Sequence, residues 1–177
     1  MKMLSDKKED FEKVVLPHLT YLYRVAFCLV RKNKEDSEDL VQETIIKAYK
    51  SFHQLHHIEK CRAWLTSILY NTFINKFRKE KEDPVIVEPI EEGAVYQEDP
   101  ENKILGEVMY QEVLKALFEL PEEYSTVVIF SDMQNLSYKE IAEILGVPIG
   151  TVRSRLSRGR QLLRAKLYQY QYVVNEG

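Results

Sequence analysis

The chain has 177 residues, 45% of them apolar and 30% charged, which suits one ordinary domain or two small ones. No stretch approaches the roughly 20 apolar residues of a membrane span, and the opening MKMLSDKKEDFEKVV is charged where a secretory signal has its apolar centre. A cytoplasmic protein without direct membrane insertion is therefore expected. The only cysteines, Cys28 and Cys61, lack metal or redox spacing, so buried reduced thiols are expected and a disulfide is not. The net charge of -3 hides an asymmetry: residues 1–81 carry 16 basic and 11 acidic side chains, 82–102 carry none and 8, and 103–177 carry 9 and 9.

In chain order, apolar spacing predicts a first helix from near Asp6 to Val30, kinked at Pro17, with Phe11, Val14, Val15, Leu19, Leu22, Val25, Ala26 and Leu29 inward. A second begins in KNKEDSEDL and continues through VQETIIKAYKSF, burying Leu40, Thr44, Ile45, Ala48 and Phe52. Its acidic start suits the helix dipole. The dipole does not account for an exposed mixed stripe of Asp39, Gln42, Glu43, Ile46, Lys47 and Lys50, whose composition fits a protein-docking face as well as a solvated one.

The loop HQLHHIEKC follows. Its His53, His56, His57 and Cys61 resemble a metal cluster only loosely, the spacing fits no standard zinc pattern, and no metal site is expected. A third helix runs from about Arg62 to Lys81, with Trp64, Leu65, Ile68, Leu69, Phe73 and Phe77 on its apolar side. From Lys60 to Lys81 there are six basic residues and one acid, interleaved with aromatics and the amides Asn71 and Asn75. That mixture serves single-stranded nucleic acid, where bases stack and charge tracks the backbone, although most of the aromatics are expected in the core.

Residues 82–102, EDPVIVEPIEEGAVYQEDPEN, have no helical period beyond a short Val85–Val87 apolar run and read as an acidic extended linker. Beyond it come a helix from Lys103 to Glu119 and another starting at Pro121. In SYKEIAEILGVPIGTVRSRLSRGRQLL, Ser137 and Glu140 form a capping box, Gly146 closes the helix at Leu145, and Pro148 opens a second helix. Val152, Leu156, Leu162 and Leu163 are its expected buried side, with Arg153, Arg155, Arg158, Arg160 and Arg164 around the rest. From Pro148 to Gly177 there are six basic residues and one acid, a phosphate-seeking surface on a helix-turn-helix. The expected fold is all-α, with helical domains at 1–81 and 103–177 joined by the linker 82–102. No phosphate-cradling glycine loop, nucleophile elbow or pair of carboxylates in an apolar setting suggests catalysis or a cofactor.

DLVQET, AWLTSILYNTFINKFRK and GTVRSRLSRGR, in this order, resemble the extracytoplasmic-function group of bacterial RNA polymerase sigma factors over nearly the whole chain. The resemblance implies a two-domain promoter reader that works with core polymerase, contacting the clamp helices of the beta-prime subunit and the beta flap. Asp39, Leu40, Gln42, Glu43 and Ile46 become core-contact candidates. Trp64, Asn71, Asn75 and Arg78 become candidates for single-stranded -10 DNA, and Arg153, Ser154, Ser157 and Arg158 for double-stranded -35 DNA. Thr151 and Arg155 are better placed for phosphate or packing. An anti-sigma factor is also implied, in a stress or envelope response. The loop HQLHHIEKC departs from the family in lacking a glycine, which leaves the identity of a flipped -10 base open. Two other classes stay open: a stand-alone dimeric DNA-binding regulator, and an enzyme built on the histidine and cysteine cluster.

Overall fold

The computed structural model describes residues 2–31, 33–78 and 110–175, with side chains over 8–31, 33–76 and 110–168. The linker 82–102, its Val85–Val87 run and the start of the helix expected from Lys103 lie outside the described residues. The chain divides into two compact units, Met1–Ile86 and Val87–Gly177. Among the described residues every regular element is helical, and no helix is long and apolar enough to cross a membrane.

In the first unit, α1 (Lys2–Val15) and α2 (Leu19–Leu29) are separated by a 3-10 turn at Leu16–His18. Pro17 lacks the amide hydrogen an uninterrupted helix would use, so the kink expected there takes the form of this tighter turn. Helix α3 (Lys34–Ser51) starts at Asn33, whose Oδ1 accepts a 3.0 Å hydrogen bond from the Asp36 amide. Two 3-10 turns, Phe52–Gln54 and Ile58–Lys60, shape the histidine loop. Helix α4 (Cys61–Phe73) ends in a π turn at Ile74–Arg78.

Helix α3 packs on α2 and α4. Val15, Leu22, Val25, Ala26, Leu40, Ala48, Leu65, Leu69 and Phe73 are wholly enclosed, while Val14, Leu19, Ile45 and Phe52 are only partly so. Polar groups in this core have partners: Thr44 donates to the Leu40 carbonyl at 2.7 Å, and the Tyr21 and Thr66 hydroxyls bond to each other. Both cysteines are buried free thiols, and desolvation pushes Cys28 up to about 12 and Cys61 to about 11. They are poor nucleophiles at neutral pH.

The second unit comprises α5 (described over 110–118), α6 (Glu122–Val128), a π turn at Ile129–Met133, α7 (Tyr138–Leu145) and α8 (Ile149–Asn175). Pro121 caps α6 instead of opening it: its ψ of 142° is extended, and its carbonyl accepts from the Tyr124 and Ser125 amides. Leu114, Ala116, Leu117, Leu120, Val127, Ile129, Phe130, Ile141, Val152 and Leu156 make the core. Of the expected buried side of α8, Leu162 and Leu163 are only partly covered.

Gly159 governs how closely α8 approaches α6. A Cβ there would lie 2.9 Å from Val128 Cγ2 and 3.1 Å from the Tyr124 carbonyl oxygen. Val128 can rotate, but the carbonyl is fixed in a helix. Gly159→Val is expected to destabilise the second unit by about 1–3 kcal/mol through overpacking. Chemical denaturation of the full chain checks this, with Gly150→Ala as a control where a Cβ would meet open space.

Candidate nucleic-acid interface

The turn between α7 and α8 is built from its sequence. Ser137 Oγ accepts from the Glu140 amide at 3.3 Å while Glu140 accepts from the Ser137 amide at 2.8 Å, which completes the capping box. Gly146 adopts φ 63°, ψ 36°, a left-handed conformation that any side chain would strain. Its amide and that of Val147 both donate to the Ala142 carbonyl. The Pro148 carbonyl then accepts from the amides of Thr151 and Val152 and starts α8.

On α8, Val152, Leu156 and Gly159 are buried on one side. At about 100° per residue, Arg153, Ser154, Ser157 and Arg158 fall on the other, and all four are exposed. Among the described residues Arg153 and Arg158 make no ion pair. Thr151, partly buried, accepts a hydrogen bond from Ser154 Oγ at its carbonyl.

Three other cations of this helix are engaged, while Arg164 is exposed and makes no ion pair among the described residues. Arg155 lies 3.3 Å from Glu123, Lys166 lies 2.6 Å from Glu119, and Arg160 holds Asp132 through Nε at 2.9 Å and Nη2 at 2.5 Å. One guanidinium thus ties the π turn to α8. The apparent row of five arginines therefore divides by function. Neither the Arg160 fork nor Gly159 was visible as special in the sequence, because their partners lie 28 or more residues away.

In the first unit, Asp39, Gln42, Glu43 and Ile46 share one face of α3, and Ile46 is 55% exposed, unusual for an isoleucine. Leu40, a polymerase-contact candidate by the resemblance, lies instead where its helical spacing puts it, wholly buried beneath this face. Across from this stripe, Lys76 pairs with Asp39 and, at 3.4 Å, with Glu43. Lys47 bridges Glu43 at 2.7 Å and the Thr72 hydroxyl at 3.1 Å. The hydrogen bond from Lys47 leads the causes that hold the Glu43 carboxyl below its usual range.

On α4 and its π turn, Asn71 and Asn75 are exposed and Trp64 is partly buried. The side chains of Phe77 and Arg78 lie outside the described residues. Arg62, one of the six basic residues of this stretch, sits 4.4 Å from the centre of the Tyr21 ring. The histidine cluster is split. Cys61 is buried and donates to the Val14 carbonyl at 3.8 Å, whereas His53, His56 and His57 are exposed. Among the described residues no three His, Cys, Asp or Glu side chains are placed to hold a metal ion.

The Arg160 fork makes a pH prediction. Its hydrogen bond holds the Asp132 carboxyl below the usual carboxylate range, so the pair stabilises the fold above the unfolded value of about 3.9. That stabilisation is lost as pH falls through the lower folded value. Asp132→Asn is expected to melt below the wild type at neutral pH, with the gap closing in acid. Thermal melts of both chains across this range measure it.

Comparison with known proteins bears on these surfaces together. The family model for sigma-70 region 2 matches residues 14–82, and the model for sigma-70 region 4 matches residues 110–163. The chain is 32% identical over 157 residues to the ECF RNA polymerase sigma-E factor of Haemophilus influenzae, covering 83% of each. It is 35% identical over 163 residues to the ECF sigma factor SigE of Mycolicibacterium smegmatis, covering 91% of this chain and spanning 63% of that relative's length. A solved sigma factor, RpoE of Bartonella quintana in complex with the anti-sigma factor NepR, matches with a TM-score of 0.73 and 29% identity over 90% of this chain and 98% of that one. Helix α3, the basic amide-bearing α4 and the arginine-bearing helix-turn-helix thus fall within matches to both sigma regions, and the chain belongs to the extracytoplasmic-function RNA polymerase sigma factors, which direct transcription.

Proposed function

We propose that the chain binds core RNA polymerase through the α3 stripe of Asp39, Gln42, Glu43 and Ile46 and carries it to promoters recognised at two points. Residues 1–81 serve as the polymerase-binding and -10 domain, 103–177 as the -35 domain, and 82–102 as the tether. Trp64, Asn71, Asn75 and Arg78 meet the separated strand at -10. Arg153, Ser154, Ser157 and Arg158 meet base edges of the -35 duplex, while Arg155 serves packing and Thr151 lies near the phosphates. The observation that carries this reading is the exposed arc of α8 directly opposite its buried stripe, holding two arginines without an ion pair among the described residues.

Tethering the two readers makes the second contact intramolecular, so two modest interactions act as one strong one. The chain works by binding and not by covalent chemistry, and it works where polymerase does, in the cytoplasm. Regulation by an anti-sigma factor is part of the proposal. It is supported by the solved relative, which is bound to one.

The test separates the two surfaces. Arg153→Ala with Arg158→Ala is expected to lower initiation from a -35-dependent promoter at least about tenfold, each guanine contact carrying about 1–3 kcal/mol, while polymerase binding persists. Glu43→Lys is expected to weaken polymerase binding while the free chain keeps its fold. In vitro transcription and native gel shifts with core enzyme measure both. A dimer that binds promoter duplex tightly without polymerase would favour a stand-alone regulator instead.

A further inference from the structure

The carboxylates assigned to polymerase docking are already occupied in this chain. Lys76, in the π turn that extends α4, pairs with Asp39 and Glu43, and Glu43 also holds Lys47, which reaches Thr72. The cation's sequence neighbour Asn75 is exposed and belongs to the amide-bearing edge assigned to single-stranded DNA. Lys76 therefore stands at the seam between the two working surfaces of the first unit.

The α3–α4 contact does not rest on this network. Leu40, Thr44 and Ala48 of α3 and Leu65, Leu69 and Phe73 of α4 are wholly buried in the unit these helices share. The ion pairs lie outside that core, with side-chain exposures of 38% for Lys76, 57% for Asp39 and 35% for Glu43. Pairs so exposed add little to stability. They are also weak enough to be exchanged for other partners.

We propose that Lys76 is a nucleic-acid contact held in reserve: Asp39 and Glu43 mask it in the free chain, and polymerase docking on those carboxylates releases it to phosphate. This rests on the reading of Asp39 and Glu43 as docking residues. Because the same ion pairs block both partners, polymerase and single-stranded DNA help each other bind by equal factors. The free chain is left with one fewer cation for DNA, and strand binding is deferred until the enzyme is present.

The test uses the full chain, free in solution, and a short oligothymidylate strand followed by fluorescence anisotropy across a salt series. Asp39→Asn with Glu43→Gln is expected to bind the strand about two- to fivefold tighter, with a log–log salt slope steeper by about 0.7, one extra phosphate contact on a single strand. Glu35→Gln with Glu38→Gln makes the same charge change at exposed positions on α3 and should leave the slope unaltered. Adding Lys76→Met to the first pair should remove the gain, as a double-mutant cycle requires. Lys76→Met alone should bind core polymerase about two- to fivefold tighter, since its carboxylates are unmasked.

An unaltered salt slope in the first pair, or a gain that survives Lys76→Met, makes Lys76 a plain brace and overturns the proposal. If Glu43→Lys weakens polymerase binding but Lys76→Met does not strengthen it, the latch fails and the docking surface stands. If Glu43→Lys has no effect on polymerase, the docking reading fails and the latch with it.

Discussion

The contact of α8 with α6, made where the bare Cα of Gly159 meets Val128 and Tyr124 beside the buried Val152 and Leu156, is what the second unit depends on. A helix that offers one side to a large partner has only the other side with which to hold itself in place. The stripe on α8 is narrow, and the missing side chain at residue 159 lets the two backbones come close enough for that stripe to suffice. Asp132 then ties the helix to the π turn through Arg160. Helix α3 solves the same problem in the first unit, with Leu40, Thr44 and Ala48 inward and Asp39, Gln42, Glu43 and Ile46 outward.

Charge in this protein is informative only once it is paired. The formal +5 of the last thirty residues reads as one basic surface in the sequence. In the folded unit Arg155, Arg160 and Lys166 each have a carboxylate, and Arg153, Arg158 and Arg164 do not among the described residues. The first unit shows the same sorting, with Arg62 over Tyr21 and Lys76 between two acids. Net charge reports how strongly a domain is drawn toward DNA, whereas the pairing pattern reports which side chains arrive ready to bind it.

Much of this was legible in the sequence because it depends on near neighbours. The capping box at Ser137 and Glu140, the left-handed Gly146 and the interruption at Pro17 are local events, and each lies where its residue types demand. The core face of α3 follows from helical period alone. What could not be read depends on partners far along the chain. The closeness required at Gly159 and the Lys76 pairs with Asp39 and Glu43 arise only when separate helices meet. Pro121 shows the smaller kind of miss: a proline suits the first helical turn in general, but an extended ψ makes it a cap here.

The opposition of faces on α8 has an evolutionary consequence. Positions 153, 154, 157 and 158 are exposed and contribute nothing to the buried stripe, so replacing them changes stability by only about 0.5 kcal/mol either way. The scaffold beneath is indifferent to what that arc displays. A lineage carrying duplicated copies of such a chain can therefore change what that arc displays, residue by residue, without passing through unfolded intermediates, while Gly159 and the Arg160 fork stay as they are.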